Sequence, residues 1–249
     1  MLLAHKVALI YGAGGPIGGA VAAAFAQEGA RVYLAGRTAP PLDRVATAIR
    51  EAGGQADTVI VDALDEQAVE ACVDAVVAGA GALDISFNLI GFGDVQQPLV
   101  QIATEDFMAP IITATRSHFV TTRAAARHMI PRGGGVILAF GGSGPQTIPG
   151  MGGVKVAFDA VESLRRQWAT ELGAHGIRVV TLKTAGIPET IPATVSGREE
   201  IIAGFAQAAL LPYTATLADV GAVAAFVASE RARTMTGSEV NISCGALLD

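Results

Sequence analysis

A chain of 249 residues with 17 basic and 23 acidic side chains carries a net charge of −6, and 51% of it is apolar against only 16% charged. That is enough for one domain with a large core, and the negative balance with scattered Lys and Arg excludes the basic stripe of a nucleic-acid-binding protein. The longest apolar runs, such as 17–26 and 220–228, fall far short of the ~18 residues of a membrane span; no signal peptide is expected, and Cys72 and Cys244 suit a reducing cytoplasm better than a disulfide framework or a zinc site.

In chain order, short β-branched runs at 7–11, 31–35, 58–61, 85–88, 136–140 and 178–183 alternate with Ala-rich segments of helical period at about 17–28, 40–52, 65–79, 104–130, 153–174, 199–210 and 217–229. Strands separated by helix-length segments predict right-handed βαβ units and a parallel sheet. The punctuation agrees with helix chemistry, since Asp65 opens one helix while Gly29, Gly53 and Gly176 sit just past the ends of others. The strands read as near-continuous apolar runs, as expected when helices cover both faces. No linker or repeat divides the chain, so 1–249 is read as a single domain. The Pro- and Thr-rich segment at about 184–214 reads as an excursion over the ligand side of the sheet.

The first strand runs into Tyr11-Gly12-Ala13-Gly14-Gly15-Pro16-Ile17-Gly18-Gly19. Glycines at a strand-to-helix turn let the backbone approach a pyrophosphate, and the free N–H groups of the helix start attract its charge. The second strand ends Gly36-Arg37-Thr38, where an NAD-preferring fold places a carboxylate. Arg37 can instead pair with a 2′-phosphate, which favours NADP(H), or it is a solvated loop cation. Asp62-Ala63 and Asn88…Gly91 follow the third and fourth strands. Asp62 is expected to accept from an adenine amino group and Asn88 to brace the strands around the cofactor; the alternative for each is a simple strand-end cap.

With these elements the chain resembles the short-chain dehydrogenase/reductase family over essentially its whole length. The resemblance covers the glycine loop, Arg37, Asp62, the 88–91 segment, the 160–179 segment, and Thr236-Gly237-Ser238-Glu239-Val240-Asn241-Ile242. It implies a doubly wound Rossmann fold with a seven-stranded parallel sheet in the order 3-2-1-4-5-6-7, a nicotinamide cofactor and a homo-oligomer, tetramer or dimer. Thr184 and Gly186, at the start of the excursion, are implied to lie over the nicotinamide. The glycine loop departs in detail: Pro16 replaces the family's middle glycine and Tyr11 its leading threonine.

The family transfers hydride between nicotinamide and a carbonyl carbon with a Ser-Tyr-Lys-Asn set. A lysine one helical turn after the tyrosine lowers the phenol's pKa from about 10. Registering the helix on 160–178 puts the tyrosine position at Val154, the lysine position at Phe158, the serine position at Gly141 or Gly142, and the asparagine position at Ala114. None of these residues moves a proton. Nearby Ser143 and Lys155 are the candidate catalytic groups, each with a plain alternative as a loop serine and a surface lysine. Met151-Gly152-Gly153-Val154-Lys155 also resembles the enoyl-reductase branch, whose upstream tyrosine is missing here. His118 shares a helical face with Ala114 and is read as a packed histidine.

Two functions follow. The first is an NADP(H)-dependent oxidoreductase acting on a small hydrophobic carbonyl, enone or imine with a non-standard proton source. The second is a non-redox protein on the same scaffold, either a cyclase, isomerase or lyase, or a nucleotide-binding subunit paired with an active relative. Neither involves a metal, a nucleic acid or a membrane.

Overall fold

The computed structural model describes residues 1–142, 144, 145 and 147–248. Seven strands, β1 (Val7–Tyr11), β2 (Arg31–Gly36), β3 (Gln55–Ile60), β4 (Ile85–Asn88), β5 (Gly135–Gly141), β6 (Ile177–Thr184) and β7 (Ser238–Ile242), form one sheet in the order β3-β2-β1-β4-β5-β6-β7. Every neighbouring pair is parallel. The helices are α1 (Pro16–Gln27), α2 (Ala39–Glu51), α3 (Glu66–Ala80), α4 (Thr104–Met129), α5 (Gly152–Leu172), α6 (Arg198–Ala208) and α7 (Leu217–Ala228). This is the parallel sheet expected from the alternation of strands and helices, in the doubly wound order that the family resemblance implies.

Local chemistry sets the helix ends. Pro16 occupies the first turn of α1, where its missing N–H would have had no partner. The Asp65 carboxylate accepts from Ala68 N at 3.1 Å and caps α3. Thr216 and Asp219 close a reciprocal capping box on α7.

The apolar strand residues point alternately to two cores. On one face Phe25 of α1, Leu42 of α2 and Val220 of α7 pack on Ile10, Leu34 and Leu182. On the other, Val73 of α3 and Ala125 of α4 pack on Leu9, Ile137 and Val179. Burying one such Phe or Leu side chain contributes about 1.5–3 kcal/mol. Near the carboxyl ends of the strands, a Cβ on Gly153 would stand 2.5 Å from Phe107 O, so the start of α5 rests on the backbone of α4.

One boundary differs by more than a residue or two. β3 begins at Gln55, three residues earlier than its apolar run suggests, and ends at Ile60, leaving Val61 just beyond it. As an edge strand it tolerates Gln55 and Asp57, and the ion pair of Arg31 with Asp57 at 2.8 Å holds that early segment to β2. The excursion at about 184–214 contains α6, and no residue of that helix is fully buried.

Candidate functional site

β1 and β4 lie side by side at the centre of the sheet, so the chain switches direction there and leaves a crevice beyond their carboxyl ends. The crevice holds a cavity of ≈ 550 Å³. It brings together Gly12, Gly14, Gly15, Arg37, Thr38, Asp62, Ala63 and Gly91, eight of the residues singled out from the sequence.

The glycine loop fits a closely approaching ligand. Gly12 has φ +79°, and a Cβ on it would lie 2.5 Å from Leu89 O; a Cβ on Gly18 would lie 2.3 Å from Gly12 O. Gly12 N donates to Ala35 O at 2.9 Å and ties the loop to β2. Within α1, Gly19 N bonds back to Gly15 O at 2.8 Å. Ile17 and Gly18 precede it, so theirs are the N–H groups that a helix start leaves for an anion. This side-chain-free cradle at a helix start suits a pyrophosphate. Pro16, Ile17 and Gly18 shape that start without lining the cavity themselves.

Arg37 is exposed at the cavity rim, and among the described residues no carboxylate lies within ion-pair distance of it. Asp62 Oδ1 accepts from Leu64 N at 3.0 Å, which sets the turn, and its carboxylate is exposed beside the cavity. Asn88 is buried and engaged at both ends of its amide: Nδ2 donates to Thr121 Oγ1 at 3.1 Å and Oδ1 accepts from Ile90 N at 2.9 Å. It is a brace between β4 and α4, and it does not line the cavity. Thr184 and Gly186, at the end of β6, also lie outside it. Gly186 is covered by Phe205 of α6, whose ring stands 2.2 Å from where a Cβ would be.

The catalytic candidates fare differently. Ser143 lies outside the described residues. Lys155 has its ammonium 2.6 Å from both carboxylate oxygens of Asp159, one turn along α5, as an i,i+4 ion pair whose acid is half exposed. The ammonium is thus paired along its own helix. Three residues before Phe158, Lys155 lies one turn away and partly on the same helical face. Phe158 has its ring 3.3 Å from where a Cβ of Gly142 would stand and 5.4 Å, centroid to centroid, from Phe92. Ala114 is fully buried among Ala139, Ala157 and Val161. His118 meets Phe92 edge-on at 6.1 Å, with Nε2 buried and, among the described residues, unpartnered. Burial pushes its imidazole down to about 4, so it is neutral near pH 7.

Sequence reasoning missed several walls of the site. Pro41 and Leu42 close the cavity against Gly14 and Gly36, and Phe92 and Thr113 close its far end. Phe92 had a signal, being an aromatic residue four positions past the end of a crevice strand. Thr113 had none, because only the packing of α4 brings it there.

A seven-stranded sheet in this order with a glycine cradle at its switch point defines a nucleotide-binding α/β protein. The family model described as enoyl-(acyl carrier protein) reductase matches residues 12–246, and the chain belongs to the short-chain dehydrogenase/reductase family. The oxidoreductase asL5 of Sarocladium schorii is 32% identical over 244 residues, covering 98% of this chain and 96% of that protein. A short-chain type dehydrogenase/reductase from Mycobacterium ulcerans superposes with a TM-score of 0.91 at 26% identity, over 99% of this chain and 91% of that one. A short-chain dehydrogenase from Burkholderia cenocepacia J2315, solved in complex with NADP, gives 0.86 at 26% identity over 99% of both chains. The class is that of nicotinamide-dependent oxidoreductases.

Proposed function

We propose that the protein is an NADP(H)-dependent oxidoreductase acting on a hydrophobic carbonyl, enone or imine, with a proton source other than the family's tyrosine. The observation that carries the cofactor choice is Arg37. It stands at the cavity rim directly after Gly36, with no carboxylate at the strand end to receive ribose hydroxyls, and a guanidinium forms charge-assisted bonds with a 2′-phosphate. The NADP complex of the Burkholderia relative supports the same choice.

The apolar set of Val154, Phe158 and Phe92 supports a hydrophobic substrate, since small-molecule sites combine apolar walls with few polar anchors. Hydride transfer itself demands orientation above all, which a bound pair of reactants supplies. The test is oxidation of NADPH, against NADH, by the purified protein with a panel of activated carbonyls, enones and imines. Loss of reduced-nicotinamide absorbance with NADPH is expected; cofactor binding without turnover on any of them sinks the reading. The second reading, a non-redox member of the family, is favoured by the ring of Phe158 filling the space beside Gly142, and it predicts substrate conversion without net NADPH consumption.

A further inference from the structure

Beneath the apolar wall of Phe158 lies a buried layer of charge. Glu162 and Arg165 continue along the same side of α5 and meet Lys183 of β6 and Glu239 of β7. The Arg165 Nε donates to Glu162 Oε2 at 2.7 Å, its guanidinium lies 3.8 Å from Glu239 Oε1, and Lys183 Nζ lies 3.0 Å from Glu239 Oε2. The side chains of Glu162, Arg165 and Lys183 are 3–5% exposed, whereas Glu239, on the edge strand, is 23% exposed. The Glu162 carboxyl is buried within hydrogen-bond reach of the Thr181 hydroxyl and the Glu239 carboxyl, and among the described residues one Arg165 terminal nitrogen is buried without a partner.

Position gives the layer a role. The pairing Gly141↔Lys183 places one side of it at the carboxyl ends of β5 and β6, the ligand end of the sheet, while Thr181↔Glu239 sets Glu239, second in β7, deeper along the sheet beside the middle of β6. A Cβ on Gly141 would stand 3.0 Å from Thr181 Cγ2 and 3.7 Å from Glu162 Oε1, so the glycine lets this carboxyl oxygen lie close to the backbone of the strand end. A layer of this kind is no asset to stability, because well-packed apolar residues in its place are often as stable or more so.

We propose that Glu162 and Glu239 hold one proton between them, and that this pair is the proton store of the site, refilled from solvent at the β7 edge through Glu239. The existence of the pair stands by itself; its use rests on the oxidoreductase reading. Burial raises the Glu162 carboxyl, and a hydrogen bond to Glu239 adds to this against the pull of Thr181 and Arg165. Burial raises Glu239 as well, but the hydrogen bonds from Glu162 and Lys183 outweigh it and leave that carboxyl lowered. The charged groups facing the pair are Arg165 from α5 and Lys183 from β6; β5 offers only backbone at Gly141. Carbonyl reduction takes one hydride, supplied by reduced nicotinamide, and one proton. The proton leaves Glu162 for a water at the Gly141-Gly142 turn and passes to the substrate oxygen, Arg165 holds the carboxylate left behind, and a solvent proton arriving at Glu239 restores the pair.

Infrared spectra of the intact protein in H₂O and D₂O, from roughly pH 5 to 9, test the pair without any substrate. The expected result is a protonated-carboxyl stretch at neutral pH that Glu162→Gln and Glu239→Gln both abolish. Its absence in the wild type overturns the proposal. In turnover, Glu162→Gln is expected to bind NADPH as the wild type does yet lose kcat by on the order of tenfold or more with a shifted pH profile, and Glu162→Asp to recover part of it. An unchanged kcat and profile overturn the supply role. Should Glu162→Gln fail to fold, Glu239→Gln at the more open edge carries the same two readouts. No stretch beside robust turnover removes the proposal alone, whereas a stretch without any wild-type turnover removes the oxidoreductase reading and the supply role with it.

Discussion

The ring of Phe158 occupies the space that a side chain on Gly142 would need: a Cβ there would meet its edge carbons at 3.3 and 3.4 Å. The two residues are a matched pair, a missing side chain on the strand end compensated by a large one on the helix. Changing one member alone leaves a misfit or an unfilled gap.

The pair predicts asymmetric outcomes. Gly142→Ser pushes a hydroxyl against the ring and is expected to cost about 1–3 kcal/mol by overpacking, without gain of turnover. Phe158→Ala opens a cavity and is expected to cost about 3–5 kcal/mol where the ring is best packed, somewhat less at this half-buried position. In the double variant the two costs should not add, and denaturant unfolding of the four proteins measures the coupling.

Arg37→Ala should weaken NADPH binding by about 10- to 100-fold, the loss of a charge-assisted hydrogen bond of ~1.5–3 kcal/mol, and leave NADH binding unchanged. Fluorescence titration with both cofactors checks it. An equal loss for both would mean that Arg37 serves the shared part of the dinucleotide.

Gly12→Ala and Gly18→Ala should both damage the cradle. The first forces a side chain into φ +79° and against Leu89 O, the second drives a Cβ to 2.3 Å from Gly12 O; neither obstacle is a flexible side chain. A loss of more than ~2 kcal/mol of stability together with loss of cofactor binding is expected, read by thermal unfolding with and without NADPH.

His118 predicts an acid-sensitive fold. Its pKa is lowered by burial from 6.5 to about 4, so the stability it contributes is present above its unfolded value and is lost as the pH falls from 6.5 through about 4. The full loss is on the order of 3 kcal/mol. His118→Leu, which keeps the edge of Phe92 covered, should flatten the pH dependence of urea unfolding in that window.

The layered α/β class, the helix caps at Asp65 and Pro16, and the glycine cradle with Arg37 and Asp62 around it were legible in the amino-acid sequence. Their causes are local: strand and helix periodicity, turn chemistry, and the habit of a parallel sheet of collecting its strand ends on one side. Tertiary structure decided the rest. Asn88, expected to brace strand to strand, ties β4 to α4 because Thr121, 33 residues away, meets its amide. The pairing of Lys155 with Asp159 is by contrast local, an i,i+4 contact that the spacing along one helix sets. Glu162 and Glu239 lie 77 positions apart in sequence, and only the adjacency of β6 and β7 beneath α5 brings them together. Spacing along the chain specifies which face of an element a residue takes; which charges then share one dry volume, and which ring fills the gap left by a glycine, depends on the neighbours that the fold supplies.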